Sequence, residues 1–556
     1  MPTSREPETF LAGLYLGHFN RSLFSSFSTP DTAPETAGII AGFSELSKDY
    51  PAAELEKAGT IPDQLWLGLK KLGIFGLNIP KEYGGQGLSL TQYLLVLQAL
   101  AGFDLALALI PTAHLSIGVK GIILFGTEEQ KKRYLPRAAS GEMIFAYALT
   151  EPEIGSDAQH ITTTATLSAD GQSYILKGHK SYITNGGYAG GLTVFAQMDP
   201  ERPGFMGAFI VETANPGVKI GRSLPKMGLA VSSTTTITLD EVRVPRENLL
   251  GAPGDGFKIA MSILNYGRLG LGAASAGVMA RAVTDMRQRS GSRIQFGKPI
   301  AEFELIREKM VRARVHGAVA EAMTAFTAHL LELAPTANLS IESSHTKLFG
   351  TTRAWDCLYE AMQTAGGAGY LATLPYEKRL RDFRVTTIFE GTSEIHTIYP
   401  PLYLLRLLTG EGRDEERGGI SRLLGLVWKL LRYPCLNLHF REPEMNRAVA
   451  RISRAVWRIK LMLGWGLLRH GHRLPDRELY LGRITGISLY LYGTLCLLAA
   501  INSHRAQGEV RRRELRLLDY FLDEFEVVCR NGGRLRLNRR ERLLSLIFSD
   551  LDQGEN

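Results

Sequence analysis

The stretch Arg381–Pro400, RDFRVTTIFEGTSEIHTIYP, decides how this chain is read. One carboxylate, Glu390, stands between the apolar pair Ile388–Phe389 and the turn Gly391-Thr392-Ser393. Aromatic surface disfavours the charged form of a carboxylate and raises its pKa, which suits a base working near neutral pH. Gly391 lets the backbone come close to a ligand. Thr392 or Ser393 can cap a following helix, whose N-terminal N–H groups favour an anion. The same residues also read as an ordinary loop glutamate at a helix entry. Pro400 and Pro401 are expected to stop that helix.

Outward from this stretch, Gly256–Tyr399 reads as long helices, with Ile259–Arg289 and Glu302–Leu333 as the clearest. Between them Arg293-Ile294-Gln295-Phe296-Gly297-Lys298-Pro299 is a turn carrying a cation and an aromatic. Gln363-Thr364-Ala365-Gly366-Gly367-Ala368-Gly369 follows a helix, not a strand. It is therefore a C-cap or a close-approach loop for phosphate, and not a dinucleotide fingerprint.

From Met143 to about Val244 the apolar period changes to two. TVFAQM, AFIVET and TTTITL read as strands of a compact β domain, separated by Asp-Gly, Asn-Gly-Gly and Pro-Gly turns. Two loops stand out, Thr150-Glu151-Pro152 leading to Gly155-Ser156-Asp157, and Tyr182-Ile183-Thr184-Asn185-Gly186-Gly187. Each places hydroxyls and backbone N–H groups beside an aromatic, which suits a planar polar ring with a phosphate tail, and each also suits plain turn chemistry.

Before the β domain the pattern is helical again, and Ala101–Phe125 is apolar enough for a buried helix pair. Gly118 and Gly121 share a face there, for close helix packing or as room for a long ligand. The expected domains are an irregular arm over 1–34, a helical domain over 35–142, the β domain over 143–250, a four-helix bundle over 251–405 and a further helical domain over 411–556.

A chain of 556 residues exceeds one core. Its hydrophobic share of 45% and charged share of 22% are those of a globular protein. The net charge of +8 is uneven: from Pro401 onward 27 Lys+Arg stand against 18 Asp+Glu, and before it 37 against 38. A basic C-terminal part suits an anionic membrane surface or an acidic protein. No nucleic-acid recognition motif accompanies it. The four cysteines (Cys357, Cys435, Cys496, Cys529) have neither zinc nor disulfide spacing, and a reducing compartment fits them. The first residues, MPTSREPETFLAGLYLGHF, do not read as a signal or transit peptide.

Six motifs in order, YALTEPEIGSD, KSYITNGG, KMGLAVSSTTTITLDEVRVPRENLLG, SRIQFGKPI, the Gln363–Gly369 loop and IFEGT, resemble the acyl-CoA dehydrogenase family over roughly Thr60–Tyr399. The very-long-chain branch is resembled most, through GRLG…AGVMARA after Asn265 and through the extra C-terminal helical part. The implied fold is mainly α with a middle β domain, with FAD between that domain and the four-helix bundle.

The implied base is Glu390, with Phe389 and Gly391 beside it on the substrate side. The resemblance assigns Tyr147, Leu149 and Thr150 to the flavin ring, Gly155 and Ser156 to its phosphate side and the substrate, and Tyr182 and Thr184 to one flavin face. Thr392 and Glu394 would contact FAD after the base. Arg293, Phe296, Gln363 and Gly367 match positions that hold the other subunit's FAD, which implies a homodimer. Asn265 and Arg268 match substrate positions, and Gly118 and Gly121 match glycines that deepen an acyl pocket. No metal is implied.

The implied reaction removes the α proton of an acyl-CoA thioester and delivers the β hydrogen as hydride to flavin, giving a trans-2-enoyl-CoA. Long-chain acyl-CoA is the implied substrate and an electron-transferring flavoprotein the implied acceptor. Some branches place the base just before the helix arginine; here that position is Gly267, which favours Glu390. Departures from the family pattern are Tyr182 in place of Trp, Glu153-Ile154 in place of a small pair, and Gln295 in place of Thr.

In the C-terminal part, Gly418–Tyr433 could form a basic amphipathic helix for a membrane surface or pack on its own domain. Ile484–Ser503 lacks Lys, Arg, Asp and Glu but carries Gly, Ser, Thr, Asn and Tyr, and reads as a buried core helix. The expected location is a bacterial-type cytoplasm, peripheral at the inner membrane. The competing readings are a scaffold or assembly factor that keeps FAD, and an acyl-CoA oxidase on the same fold. Glu390 argues against a flavin monooxygenase.

Overall fold

The computed structural model describes residues 10–30, 32–409, 430–504, 506–535 and 543–544. It divides into two compact units. The larger holds Pro30–Ala337 and Phe349–Thr392; the smaller holds residues up to Thr29, Asn338–Leu348 and those from Ser393 onward.

In the larger unit, helices are started by side-chain caps. Ser89 and Gln92 form a capping box at Leu90–Phe103, and Thr127 and Gln130 form another at Glu128–Ala139. Asp104 caps Leu105–Thr112. The expected helix pair over Ala101–Phe125 is more broken than that. Pro111 lacks the N–H that a regular helix needs, and a π-helical turn, Ala113–Gly118, follows it before Lys120–Phe125.

His114 in that turn accepts the Phe145 N–H at Nδ1 (2.9 Å), so Nε2 carries the proton given to the Ala138 carbonyl (3.2 Å). Burial pushes its pKa down to about 4, so the ring is neutral.

Eight strands follow: β1 Ile144–Ala148, β2 Thr164–Leu167, β3 Ser173–Thr184, β4 Ala189–Gln197, β5 Met206–Glu212, β6 Val218–Ile220, β7 Thr234–Pro245 and β8 Leu249–Gly254. They form one sheet in the order β6-β7-β3-β2-β4-β5-β8, with β1 parallel to β4. Leu176, Leu192, Phe209 and Val242 are fully buried in its core. TVFAQM, AFIVET and TTTITL lie in β4, β5 and β7, and the last strand runs past the expected boundary at 250.

Gly256–Ser292, 37 residues, and Glu304–Leu333 are the long helices behind the sheet domain. The short helix Tyr376–Phe383 and the 3₁₀ turn Arg384–Thr387 lead to Glu390.

The smaller unit corrects three expectations. The arm over 1–34 is not irregular in its described part. Phe10–Leu16 is a helix with all seven residues buried, and Arg21–Ser26 is another. Helices this short leave little periodic signal and depend on packing for stability. Leu11 N–H donates to Glu342 (2.7 Å), and the Tyr15 hydroxyl meets Ser488, which also meets His345 Nε2 (2.6 Å). Secondly, residues 393–405, read as part of the bundle, belong to this unit.

Thirdly, Pro400 and Pro401 do not stop the helix, which runs Ser393–Thr409. Pro401 cannot donate to the Thr397 carbonyl, and the Thr485 hydroxyl donates to it instead (2.5 Å). The helices Pro443–His470, Glu478–Ser503 and Gly508–Gly532 complete the unit. Glu478–Ser503 is long and apolar enough to cross a membrane, but 89% of its apolar window is buried in the protein. Most of Gly418–Tyr433 lies outside the described residues.

Thr485→Val would leave the Thr397 carbonyl without that donor. It should lower unfolding stability by about 1–3 kcal/mol, read as an earlier denaturant midpoint. An unchanged midpoint would show that the proline pair needs no outside donor.

Candidate active site

Glu390 and Gly391 both adopt left-handed backbone, φ +55° and +95°. For a glutamate this costs on the order of 1–3 kcal/mol and is held only by its surroundings. The kink carries the carboxylate back over the Gly256–Ser292 helix at Gly267. A Cβ built on Gly267 would lie 2.5 Å from Glu390 Oε2 and 2.8 Å from Oε1. The carboxylate therefore occupies the volume that any side chain at position 267 would need.

Phe389, Glu390 and Gly391 are half-buried, and Asn265 and Arg268 are buried on the helix on either side of Gly267. The charges of Glu390 and Arg268 both reach Tyr147. Burial foremost, and Glu390 with it, pushes that hydroxyl up, while Arg268 pulls the other way.

Tyr93 and Ser116, absent from the sequence-based site, stand close by. Their hydroxyls are 2.8 Å apart, and burial together with the Glu390 charge raises the Tyr93 pKa. Only the fold joins them to Glu390, since nothing in an apolar helix marks one tyrosine out.

The two loops of the β domain meet through a buried ion pair. Lys180 on β3 donates to Glu151 Oε1 (2.8 Å) and to the Leu149 carbonyl (3.1 Å), and Lys180 is 0% exposed. Thr162 and Thr163 N–H groups donate to the same carboxylate (2.6 and 3.0 Å). Burial pushes Glu151 up, but the Lys180 charge and these donors outweigh it and hold it down to about 2. Glu151 and Lys180 stand in two separate motifs 29 residues apart, and neither motif by itself signals the pairing.

The pair fastens Thr150 to Ser181, whose N–H donates to the Thr150 carbonyl (2.9 Å). Tyr147 on β1, Leu149 and Thr150 just after it, and Thr184 at the end of β3 are thus held together. Tyr182 has φ +58° and its ring is 63% exposed. Gly155 and Ser156 are exposed on the loop between, and a Cβ at Gly155 would meet nothing within 4 Å. Hydroxyls and amides beside two aromatic rings, with an open glycine loop, fit an isoalloxazine ring and its phosphate tail.

Arg293, Phe296, Gln363 and Gly367 are elsewhere. Tyr147 Oη donates to the Ala260 carbonyl (3.4 Å) near the start of the long helix, whereas Arg293 caps its far end. Ala260 and Arg293 are 33 residues apart in the sequence, about 50 Å along a helix. Phe296 is 93% exposed on a hairpin, and a Cβ at Gly366 or Gly367 would meet nothing. Thr392 ends the larger unit half-buried, and Glu394 is exposed in the first turn of the smaller unit's Ser393–Thr409 helix.

The reading of Gly118 and Gly121 as room for a long ligand is not supported. A Cβ at Gly118 would lie 2.7 Å from the Phe145 carbonyl oxygen, and one at Gly121 would lie 3.1 Å from Ile263 and 3.2 Å from Leu250. Both serve close packing of this segment on β1, β8 and the long helix.

Lys180→Met would bury Glu151 without its cation and should cost about 3–5 kcal/mol, with loss of FAD on purification. Adding Glu151→Gln should recover most of it; no recovery would remove the pair from this role. Because Glu151 titrates at about 2 instead of 4.5, its stabilisation is complete above about pH 4.5, declines as pH falls below that, and is gone once pH has fallen through about 2.

Family models for the N-terminal, middle and C-terminal domains of acyl-CoA dehydrogenase match residues 44–142, 146–242 and 254–399. The human mitochondrial very long-chain specific acyl-CoA dehydrogenase is 34% identical, covering 96% of this chain and 84% of its own. An acyl-CoA dehydrogenase of Bacillus subtilis is 40% identical over 64% of this chain and 93% of its own. The crystal structure of a Bacillus anthracis acyl-CoA dehydrogenase complexed with FAD aligns with a TM-score of 0.81 at 30% identity, over 96% of this chain and 94% of that one. With a carboxylate poised at Gly267 and a cradle that fits the flavin, the chain belongs to the acyl-CoA dehydrogenase family and is an FAD-dependent enzyme of it.

Proposed function

We propose that this enzyme dehydrogenates long-chain fatty acyl-CoA between Cα and Cβ, giving trans-2-enoyl-CoA in fatty acid β-oxidation, with an electron-transferring flavoprotein as acceptor. The observation that carries the reading is the Glu390 carboxylate over Gly267, with Asn265 and Arg268 on the same helix. Glu390 takes the α proton. Its strained backbone fixes where the carboxylate points before substrate arrives, so little reorganisation is needed at the moment of transfer. Phe389 and the helices bearing Tyr93 and Gly267 keep water from the base. Bound FAD supplies the hydride acceptor.

Length preference rests on likeness to the human very long-chain enzyme across nearly the whole chain, not on Gly118 or Gly121. A homodimer is the arrangement that the length of the long helix supports. Residues of one chain about 50 Å apart cannot serve one flavin, so Arg293 and its neighbour Phe296 would serve the flavin of a second copy, and we assign the exposed Gln363 and Gly367 to the same role. Tyr182, exposed near the end of β3, is where an acceptor protein would come nearest.

We place the enzyme in the cytoplasm, and exposed residues of the smaller unit support peripheral membrane contact there. Leu431 and Tyr433 are exposed beside Trp457 and Leu468 on one helix, with Arg454 a turn before Trp457. Apolar and aromatic groups edged by arginine suit an anionic interface.

Turnover of acyl-CoAs from four to twenty carbons, with electron-transferring flavoprotein as acceptor, tests the substrate and acceptor. The rate should peak at fourteen carbons or more. A peak at four to eight would overturn the chain-length reading, and oxygen uptake as fast as flavoprotein reduction would make the enzyme an oxidase.

A further inference from the structure

The helix Tyr376–Phe383 holds a buried ionic junction that proton abstraction does not use. Lys378 Nζ donates to Asp104 Oδ2 and to Asp382 Oδ2, 2.6 Å in each case, and all three side chains are buried. Two carboxylates share one ammonium. Burial pulls Lys378 down, but the two aspartates outweigh it and its pKa is raised, so the cation is retained.

Each aspartate has a second task. Asp104 Oδ1 accepts the Leu107 N–H (2.9 Å) and caps the Leu105–Thr112 helix. That helix runs on into the π turn with Ser116, whose hydroxyl meets Tyr93 within reach of the Glu390 charge. Asp382 Oδ1 accepts the Leu229 N–H (2.5 Å), and Leu229 is itself left-handed at φ +57°. Beside it, a Cβ at Gly228 would lie 2.6 Å from the backbone of Arg381 and Asp382, and Arg381 donates to the Met227 carbonyl (3.1 Å).

The segment after Leu229 reaches the loop that bears Tyr182 and Thr184. Asn185 N–H donates to the Ser233 carbonyl (2.7 Å), and Gly187 N–H to Ser233 Oγ (3.2 Å). The base follows Asp382 by eight residues. Three parts of the site therefore converge on one ammonium: the helix wall carrying Ser116, the flavin-side loop, and the segment that presents the base.

We propose that Lys378 is a positioning residue for Glu390: by drawing Asp104 and Asp382 together it sets the carboxylate against both walls of the site. The inference rests on Glu390 being the base. The Lys378 ammonium is buried and is committed to two carboxylates, so the role given to it is indirect. Its loss should move the base by a fraction of an ångström without removing a binding contact, and rates are steep in such displacements.

The test is anaerobic flavin reduction by palmitoyl-CoA in FAD-loaded Lys378→Met, Lys378→Arg and Asp382→Asn. Lys378→Met should keep its FAD and hold the half-saturating palmitoyl-CoA concentration within about threefold, while the limiting reduction rate falls about tenfold or more. Lys378→Arg should restore the rate to within about threefold. Asp382→Asn keeps an acceptor for the Leu229 N–H but not the charge, and should show the same split if Lys378→Met fails to fold. A wild-type rate in Lys378→Met, or in Asp382→Asn where that is the variant that folds, overturns the proposal. So does a loss of rate matched by loss of FAD that arginine does not rescue. Should Glu390→Gln still reduce flavin at the wild-type rate, the base assignment fails instead, whatever the Lys378 variants do.

Discussion

The Glu390 carboxylate and any Cβ at position 267 would compete for one volume, and much of the larger unit is arranged to let the carboxylate have it. A glutamate in left-handed backbone does not hold itself there. It is held because the helix before it is fastened at several points. Arg381 bridges Glu56 and Glu377, Asp382 holds the Leu229 N–H, and Lys378 joins Asp382 to Asp104. The glycine at 267 is the complementary half of the arrangement, because only a residue without Cβ leaves room. A base on the loop and a base on the helix are thus alternatives that cannot coexist.

The flavin side uses the same device in another form. The loops that resemble flavin-binding segments are joined by a fully buried lysine and a glutamate with four oxygen-directed donors. Buried ion pairs contribute little net stability beside an apolar substitute, but a broken one costs a great deal. Their effect here is register: they leave one arrangement of Thr150, Ser181 and Thr184 that satisfies every charge. The site is rigid where the chemistry needs fixed distances, while Gly155 leaves its phosphate-side loop open.

What could be read from the sequence was local. The change of apolar period near Met143 marks β1, and the long 3.6-residue patterns mark the helices behind it. The residues flanking Glu390 leave base and loop glutamate open, and it is the resemblance of six ordered motifs that implies the base. What could not be read depends on partners far along the chain. The helix runs on through Pro400 and Pro401, and Thr485, 88 residues from Thr397, donates to the carbonyl that Pro401 leaves bare. Tyr93 enters the site through a hydroxyl contact with Ser116, 23 residues on. Phe10–Leu16 is helical because every one of its residues is buried, a fact that belongs to the folded unit. Gly118 shows the opposite fault. A glycine in an apolar helix fits packing or vacancy equally well in sequence, and only the Phe145 carbonyl beside it decides.

The central claim is that Glu390 removes the α proton. The measurement that tests it most directly is anaerobic stopped-flow bleaching of the flavin by a long-chain acyl-CoA, in the wild type and in Glu390→Gln. The account predicts that the variant keeps its FAD and binds the acyl-CoA, and that its flavin stays oxidised on the timescale in which the wild type bleaches fully. Bleaching of the variant at the wild-type rate would contradict it and would move the base to another residue.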